Sequence, residues 1–257
     1  KYLSNELIDY IKTELTVKPF VACQIVAPES FPLYLESNNK IYVPRFWGIN
    51  TFGYPKYNKI TNGQNIDVIF KGELRKEPVD QEKIINSYLD SIQFSKSESD
   101  NKGNSSALIE LLCGGGKTVL GLKIIEILKK KTIIFVHKTF LKNQWSQRIK
   151  EFLPNARIGY IQGQVIDIEN KDIVIAMIQS ISMKSYPDSL FDNFGLSIYD
   201  EVHHISSEIF NNCLKKCTTL YSLGLSATMN RKDGLTFVFK MFLGEICCTN
   251  QVKKQQD

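Results

Sequence analysis

The sequence predicts an α/β protein, a parallel sheet with helices on both faces, preceded by a small β-rich accessory domain. Three observations lead there. From about residue 106, continuous apolar runs such as "TIIFVHK" and "DIVIAMIQSI" alternate with amphipathic stretches such as "KTVLGLKIIEILKKK". Runs apolar at every position suit strands buried on both faces, as in parallel sheets whose crossovers are helices. Gly114, Gly115 and Gly116, followed by Lys117 and Thr118, fall between one such strand and one such helix. Residues 1–75 have a different texture, rich in Tyr, Phe, Pro and Asn.

Taken in order, Leu3, Leu7, Ile8, Ile11 and Leu15 give an opening helical stripe. Ile66, Val68 and Phe70 alternate as in a half-buried strand, which completes an accessory domain over 1–75. Its aromatics, among them Tyr42, Phe46, Trp47, Phe52 and Tyr54, either stack on bases or form the domain's own core. Pro78 suits a first helical position, and Ile84, Ile85, Tyr88, Leu89 and Ile92 continue the stripe. The stretch 95–106 is polar and of low complexity, a loop. Then follow strand "SALIELLC", helix "KTVLGLKIIEILKKK", strand "TIIFVHK" and helix "FLKNQWSQRIKEFLP". Strands "DIVIAMIQSI" and "LSIYD", helix "SSEIFNNCLKKC" and strand "LYSLGLSAT" complete a second domain over 76–246. The polar tail 247–257 reads as a linker.

Composition excludes some classes. The net charge of +5 divides as +2 over 1–75 and +3 over the rest, which permits a nucleic-acid partner without demanding one. No run of 18 apolar residues exists, so no membrane span is expected. The opening "KYLSNELIDYIKTEL" is too charged for a signal peptide. Six cysteines without a CxxC, and without a His near a Cys pair, read as reduced thiols of an intracellular protein.

Chemistry concentrates at strand ends. In "CGGGKT" the glycines let backbone N–H groups close round an anion where side chains would obstruct. Lys117 can reach the β- and γ-phosphates of ATP, Thr118 can ligate Mg²⁺, and the next helix offers its positive end. Leu111 departs from the strict GxxxxGK[ST] spacing, and a glycine-rich turn with an exposed lysine is the alternative. Asp200 and Glu201 end the strand "LSIYD". Two adjacent carboxylates there repel and lose hydration unless a cation compensates. Asp200 is placed to hold the metal and Glu201 to deprotonate an attacking water; a surface or capping pair is the alternative. His203 would link this site to Ser226, Ala227 and Thr228 and sense the γ-phosphate, unless it is a hydrogen-bonded structural residue.

The order "GGGKT", "DEVHH", "SAT" resembles motifs I, II and III of superfamily-two helicases. "LSATMNRKDGL" is similar to the signature of the XPB/UvsW-like branch, with Met229 where Pro is usual. "YVPRFWGINTFG" and "FKGELR" resemble helicases of large cytoplasmic DNA viruses, poxviruses and asfarviruses among them. The resemblance implies a RecA-like domain that uses ATP and Mg²⁺, with Gln81 reading the adenine. It implies that Lys138, Gln179 and Ser180 face the phosphate backbone of a nucleic acid, DNA favoured over RNA. It also implies a second RecA-like domain in cis in the full-length protein, and a role in viral transcription or DNA remodelling in the host cytoplasm or virion. A phosphate-loop ATPase that never touches nucleic acid, and a nucleotide-gated interaction module, are the rival functions.

Overall fold

The computed structural model describes residues 3–20, 29–93, 105–202, 208–230 and 234–250 and is organised round one eight-stranded sheet. Ahead of the sheet, α1 (Asn5–Glu14) starts where the Ser4 hydroxyl accepts the Leu7 N–H at 3.3 Å. Strands β1 (Thr16–Val17) and β2 (Phe31–Pro32) pair antiparallel, as do β3 (Leu35–Ser37) and β4 (Lys40–Tyr42). The aromatic run folds as α2 (Arg45–Phe52), so the described residues of 1–75 hold two helices beside two short strand pairs. Phe46 and Trp47 are buried, whereas Tyr42, Phe52 and Tyr54 are about half exposed. The aromatic set is therefore split between core and surface.

Ile66 and Val68 are buried, as their alternation requires, but not as a strand of a hairpin. Among the described residues the segment makes one isolated bridge, Asn65 to Lys130. Its backbone bonds go instead to helix ends: Ile66 N–H donates to Lys129 O and Lys71 N–H to Phe152 O. Both side chains join the core of the large sheet. Next, α3 (Gln81–Ser91) begins three residues after Pro78, because the Asp80 carboxylate supplies the cap by accepting from Lys83 N–H at 3.2 Å. Most of the polar loop lies outside the described residues, and Ser106 already belongs to the first strand of the sheet.

The α/β part runs β5 (Ser106–Leu111), α4 (Lys117–Leu128), β6 (Thr132–Val136), α5 (Thr139–Phe152), β7 (Ile158–Gln162) and β8 (Val165–Asp167). It continues with β9 (Ile173–Met177), α6 (Ile178–Met183), β10 (Leu196–Asp200), α7 (Glu208–Lys216), β11 (Tyr221–Ser226), α8 (Thr236–Leu243) and β12 (Ile246–Asn250). The strand order is β12-β5-β11-β10-β6-β9-β7-β8, parallel throughout except for β8 on its edge. Three details differ from the sequence expectation. "DIVIAMIQSI" is strand only to Met177 and then turns into α6. The β7–β8 hairpin was not foreseen. Residues 247–250, expected to open a linker, form most of the edge strand β12 beside β5.

Alternate residues of each strand face opposite layers. Ala107, Ile109 and Leu111 meet Ile84, Ile85 and Tyr88 of α3 and the buried faces of α4 and α5. Leu108, Phe135 and Tyr199 meet Ile181 of α6, Cys213 of α7 and Phe239 of α8. A third cluster joins Ile11, Leu15 and Trp47 to Leu235 and Val238. Each fully buried aliphatic side chain contributes roughly 1.5–3 kcal/mol. Because seven strands run parallel, the carboxyl ends of β5, β6, β9, β10 and β11 share one edge, where open α/β sheets bind ligands.

Candidate functional site: a cleft at the carboxyl edge of the sheet

β5 ends at Leu111, and the chain turns through Cys113–Gly116 before α4 begins at Lys117. Gly116 has φ of +89°, which an L side chain adopts only with strain. A Cβ there would also lie 2.2 Å from Gln81 Nε2. The glycine is required both by the turn and by the closeness of α3. Two strands away, β10 delivers Asp200 and Glu201, the latter at φ of +54°. Lys117 Nζ lies 2.9 Å from Glu201 Oε1, with both side chains largely buried. Segments 84 residues apart in sequence thus meet in one ion pair.

Asp200 is 5% exposed. Burial pushes its carboxyl up to about 6, against the Trp145 indole N–H that donates to Oδ2 at 2.8 Å and lowers it. Glu201 adds repulsion, and Lys117 opposes it. Trp145, 1% exposed, comes from the apolar stripe Leu141, Trp145, Ile149 of α5, and its ring rests on Gly121 of α4. A Cβ at Gly121 would stand 2.9 Å from that ring. The small residue in α4 lets the indole reach the carboxylate.

Around this pair opens a cleft of about 740 Å³, lined among others by Gln81, Gly114, Lys117, Thr118, Asp200 and Thr228. Gln81 is 2% exposed. Its Oε1 accepts the Arg75 N–H at 2.9 Å, and its Nε2 donates to Gly115 O at 3.3 Å. The side-chain amide therefore ties the strap before α3 to the glycine turn. Ser226 ends β11 beside β5, and Ala227 and Thr228 border the cleft. His203 lies outside the described residues.

Lys138, Gln179 and Ser180 follow β6 and β9, which are neighbours. Lys138 is exposed and lines the same cleft, its Nζ over the Phe140 ring at 5.9 Å from the centroid. Gln179 is exposed and its Nε2 donates to His137 O at 2.9 Å, next to Lys138. The Ser180 hydroxyl accepts the Gly163 N–H at 2.8 Å and so holds the β7–β8 turn. Trp145 was not singled out from the sequence; an aromatic in an apolar helical stripe reads as core, which it also is. Glu73 and Arg75 line the cleft from the strap before α3; they belong to the "FKGELR" stretch, to which the sequence reading gave no role in the site.

A family model described as "Type III restriction enzyme, res subunit" matches residues 74–231. A putative ATP-dependent RNA helicase of Acanthamoeba polyphaga mimivirus is 31% identical over 261 residues, covering 99% of this chain and 48% of that relative. The DNA 3'-5' translocase XPB2 of Sulfurisphaera tokodaii is 33% identical over 147 residues, 57% of this chain and 32% of the relative. The crystal structure of the UvsW helicase from bacteriophage T4 matches with a TM-score of 0.58 at 16% identity, covering 95% of this chain and 94% of that one. At that identity the likeness is one of fold. The chain spans about half, or less, of the length of these curated relatives.

Proposed function

The chain belongs to the type III restriction enzyme res-subunit family, and from that premise we propose that it is the nucleotide-binding part of an ATP-dependent helicase or translocase acting on nucleic acid, DNA in preference to RNA. The observation that carries the reading is the meeting of Lys117 with Glu201 at 2.9 Å in a cleft that Thr118, Asp200 and Thr228 also line. Lysine on a glycine turn and two strand-end carboxylates are what binding and hydrolysis of a polyphosphate need.

Each residue takes a distinct part. Backbone N–H groups of Gly114–Gly116 and the amino end of α4 would face the phosphates. Lys117 would exchange Glu201 for phosphate oxygens, which frees Glu201 to take a proton from the attacking water. Mg²⁺, when bound, neutralises charge on the phosphate oxygens. Oxygen donors suit that hard cation, and the Thr118 hydroxyl and the Asp200 carboxylate would hold it. Burial has already raised the cost of ionised Asp200, which a cation offsets. Gln81 has one amide N–H beyond its bond to Gly115 O, a donor for the adenine. Lys138 and Gln179 would lie along one strand's phosphates, Ser180 behind them. Ser226–Thr228, with His203, would relay nucleotide state.

The likeness to a mimivirus protein supports a viral setting in the host cytoplasm, in transcription or DNA remodelling. A second RecA-like domain in cis would complete the motor. Among the described residues no helix is long and apolar enough to cross a membrane.

The test is hydrolysis by the full-length protein with and without single-stranded DNA. Glu201→Gln is expected to bind ATP yet hydrolyse it at least about 100-fold more slowly. Lys117→Ala is expected to lose nucleotide binding. Hydrolysis indifferent to DNA and RNA would favour a phosphate-loop ATPase; full hydrolysis by Glu201→Gln would sink the site assignment.

A further inference from the structure

Glu110 is the only charged residue of β5, and it is 5% exposed. Burying a carboxylate in an apolar layer is costly unless it is hydrogen-bonded. Glu110 Oε1 accepts the main-chain N–H of Met229 at 2.8 Å. The bond joins two parts of the site. Glu110 stands four residues before Gly114, on the strand that carries the glycine turn. Met229 directly follows Ser226, Ala227 and Thr228.

That triplet is folded on itself. Ser226 Oγ donates to Thr228 O at 2.6 Å and accepts the Thr228 N–H at 3.3 Å. The Asn230 N–H reaches Thr228 Oγ1 at 3.3 Å. The turn is thus a compact unit, and the Met229 N–H ties it sideways to β5. An amide donating to a carboxylate makes a stronger bond than one donating to a neutral oxygen. Glu110 itself does not line the cleft, while Ala227 and Thr228 do.

We propose that Glu110 is a positioning residue that locks the Ser226–Thr228 turn to the phosphate-loop strand, so that the turn follows what the glycine loop holds. The proposal rests on the cleft being the ATP site. Glu110 acts through the Met229 main chain. The side chain needed is therefore an acceptor of that length, which glutamine keeps and leucine lacks. Proline at 229, the residue usual in the XPB/UvsW-like branch, lacks the donor and leaves Glu110 in place, so Met229→Pro tests whether this chain relies on a bond that the branch does without.

The full-length protein is compared with Glu110→Gln, Glu110→Leu, Met229→Pro and the Glu110→Leu, Met229→Pro double variant. Two quantities are read: hydrogen–deuterium exchange of peptides spanning 226–230, with and without a non-hydrolysable ATP analogue, and hydrolysis with and without single-stranded DNA. In wild type and Glu110→Gln the analogue is expected to slow exchange over 226–230. In Glu110→Leu and Met229→Pro that protection disappears and DNA stimulation falls about five-fold or more, with analogue affinity nearly unchanged. The double variant is expected to fall no further than Glu110→Leu alone, since the bond that Met229→Pro removes is already gone there. A purely structural Glu110 would lower the melting temperature yet leave nucleotide-dependent protection and stimulation intact, which overturns the proposal; so does a Glu110→Gln variant as impaired as Glu110→Leu. Were wild type not to bind the analogue, the ATP-site reading would fail on its own. Exchange without nucleotide, faster in the Leu and Pro variants than in the Gln variant, would still reveal the tether.

Discussion

Asp200 ends an apolar strand with a carboxyl that burial raises to about 6, despite the hydrogen bond from Trp145. A carboxyl raised in the folded state favours folding while protonated, and that contribution is lost as pH climbs through about 6. Asp200→Asn keeps an acceptor for Trp145 and removes the charge. At pH 8 it is expected to unfold at higher temperature than wild type, by on the order of 2–3 kcal/mol, and to converge with it near pH 4, while hydrolysis is lost. A lower melting temperature at pH 8 would mean the charge is already compensated in the fold. Asp172 has the opposite sign. Burial would raise it, but Arg157 outweighs burial through its N–H, Nε and Nη2, at 2.8, 2.9 and 2.7 Å, and holds the carboxyl below its usual range. That contribution is present above the unfolded value near 3.9 and lost as pH falls through the folded one. Asp172→Asn is expected to cost about 1–3 kcal/mol in urea unfolding at pH 7, and progressively less as pH falls below about 4.

At the level of elements, the turn between β5 and α4 depends on Gly116 in two ways, its positive φ and the 2.2 Å approach of Gln81 to where a Cβ would be. Gly116→Ala must push the Gln81 amide off Gly115 O. A loss of roughly 1–3 kcal/mol is expected in thermal unfolding, with weaker nucleotide binding. These site elements were legible in the sequence because their signals are local: a glycine triplet before Lys-Thr, and carboxylates closing an apolar run. What was not legible depended on distant partners. β12 is a strand because β5, some 140 residues earlier, offers it an open edge, and "CCTN" carries no apolar alternation. The alternation of Ile66 and Val68 gave their burial correctly but not their neighbours, since an extended strap can bury every second residue against helices. α2 was hidden because "RFWGINTF" shows no single apolar face. Glu110 inside "SALIEL" was passed over in the apolar run, and its bond to the Met229 N–H, 119 residues on, is one of the distant contacts that sequence does not show.

Over the whole molecule, the accessory part and the sheet share cores. Ile66 and Val68 lie in the cluster of α3, α4 and α5, and Trp47 meets Val238 of α8. A boundary at 75 would cut buried side chains away from their core. A chain starting at residue 76 is expected to melt well below one starting at 58, since each lost aliphatic contributes roughly 1.5–3 kcal/mol; equal melting temperatures would support a division at 75. The sequence holds two tryptophans, and the fold sends them to different places. Trp47 sits in the cluster of α1 and α2, and Trp145 donates to Asp200. After Trp47→Phe, the remaining tryptophan has its indole at the carboxyl edge of the sheet, so its emission, excited beyond the tyrosine band, would report a cation or nucleotide that reached Asp200, with no label attached.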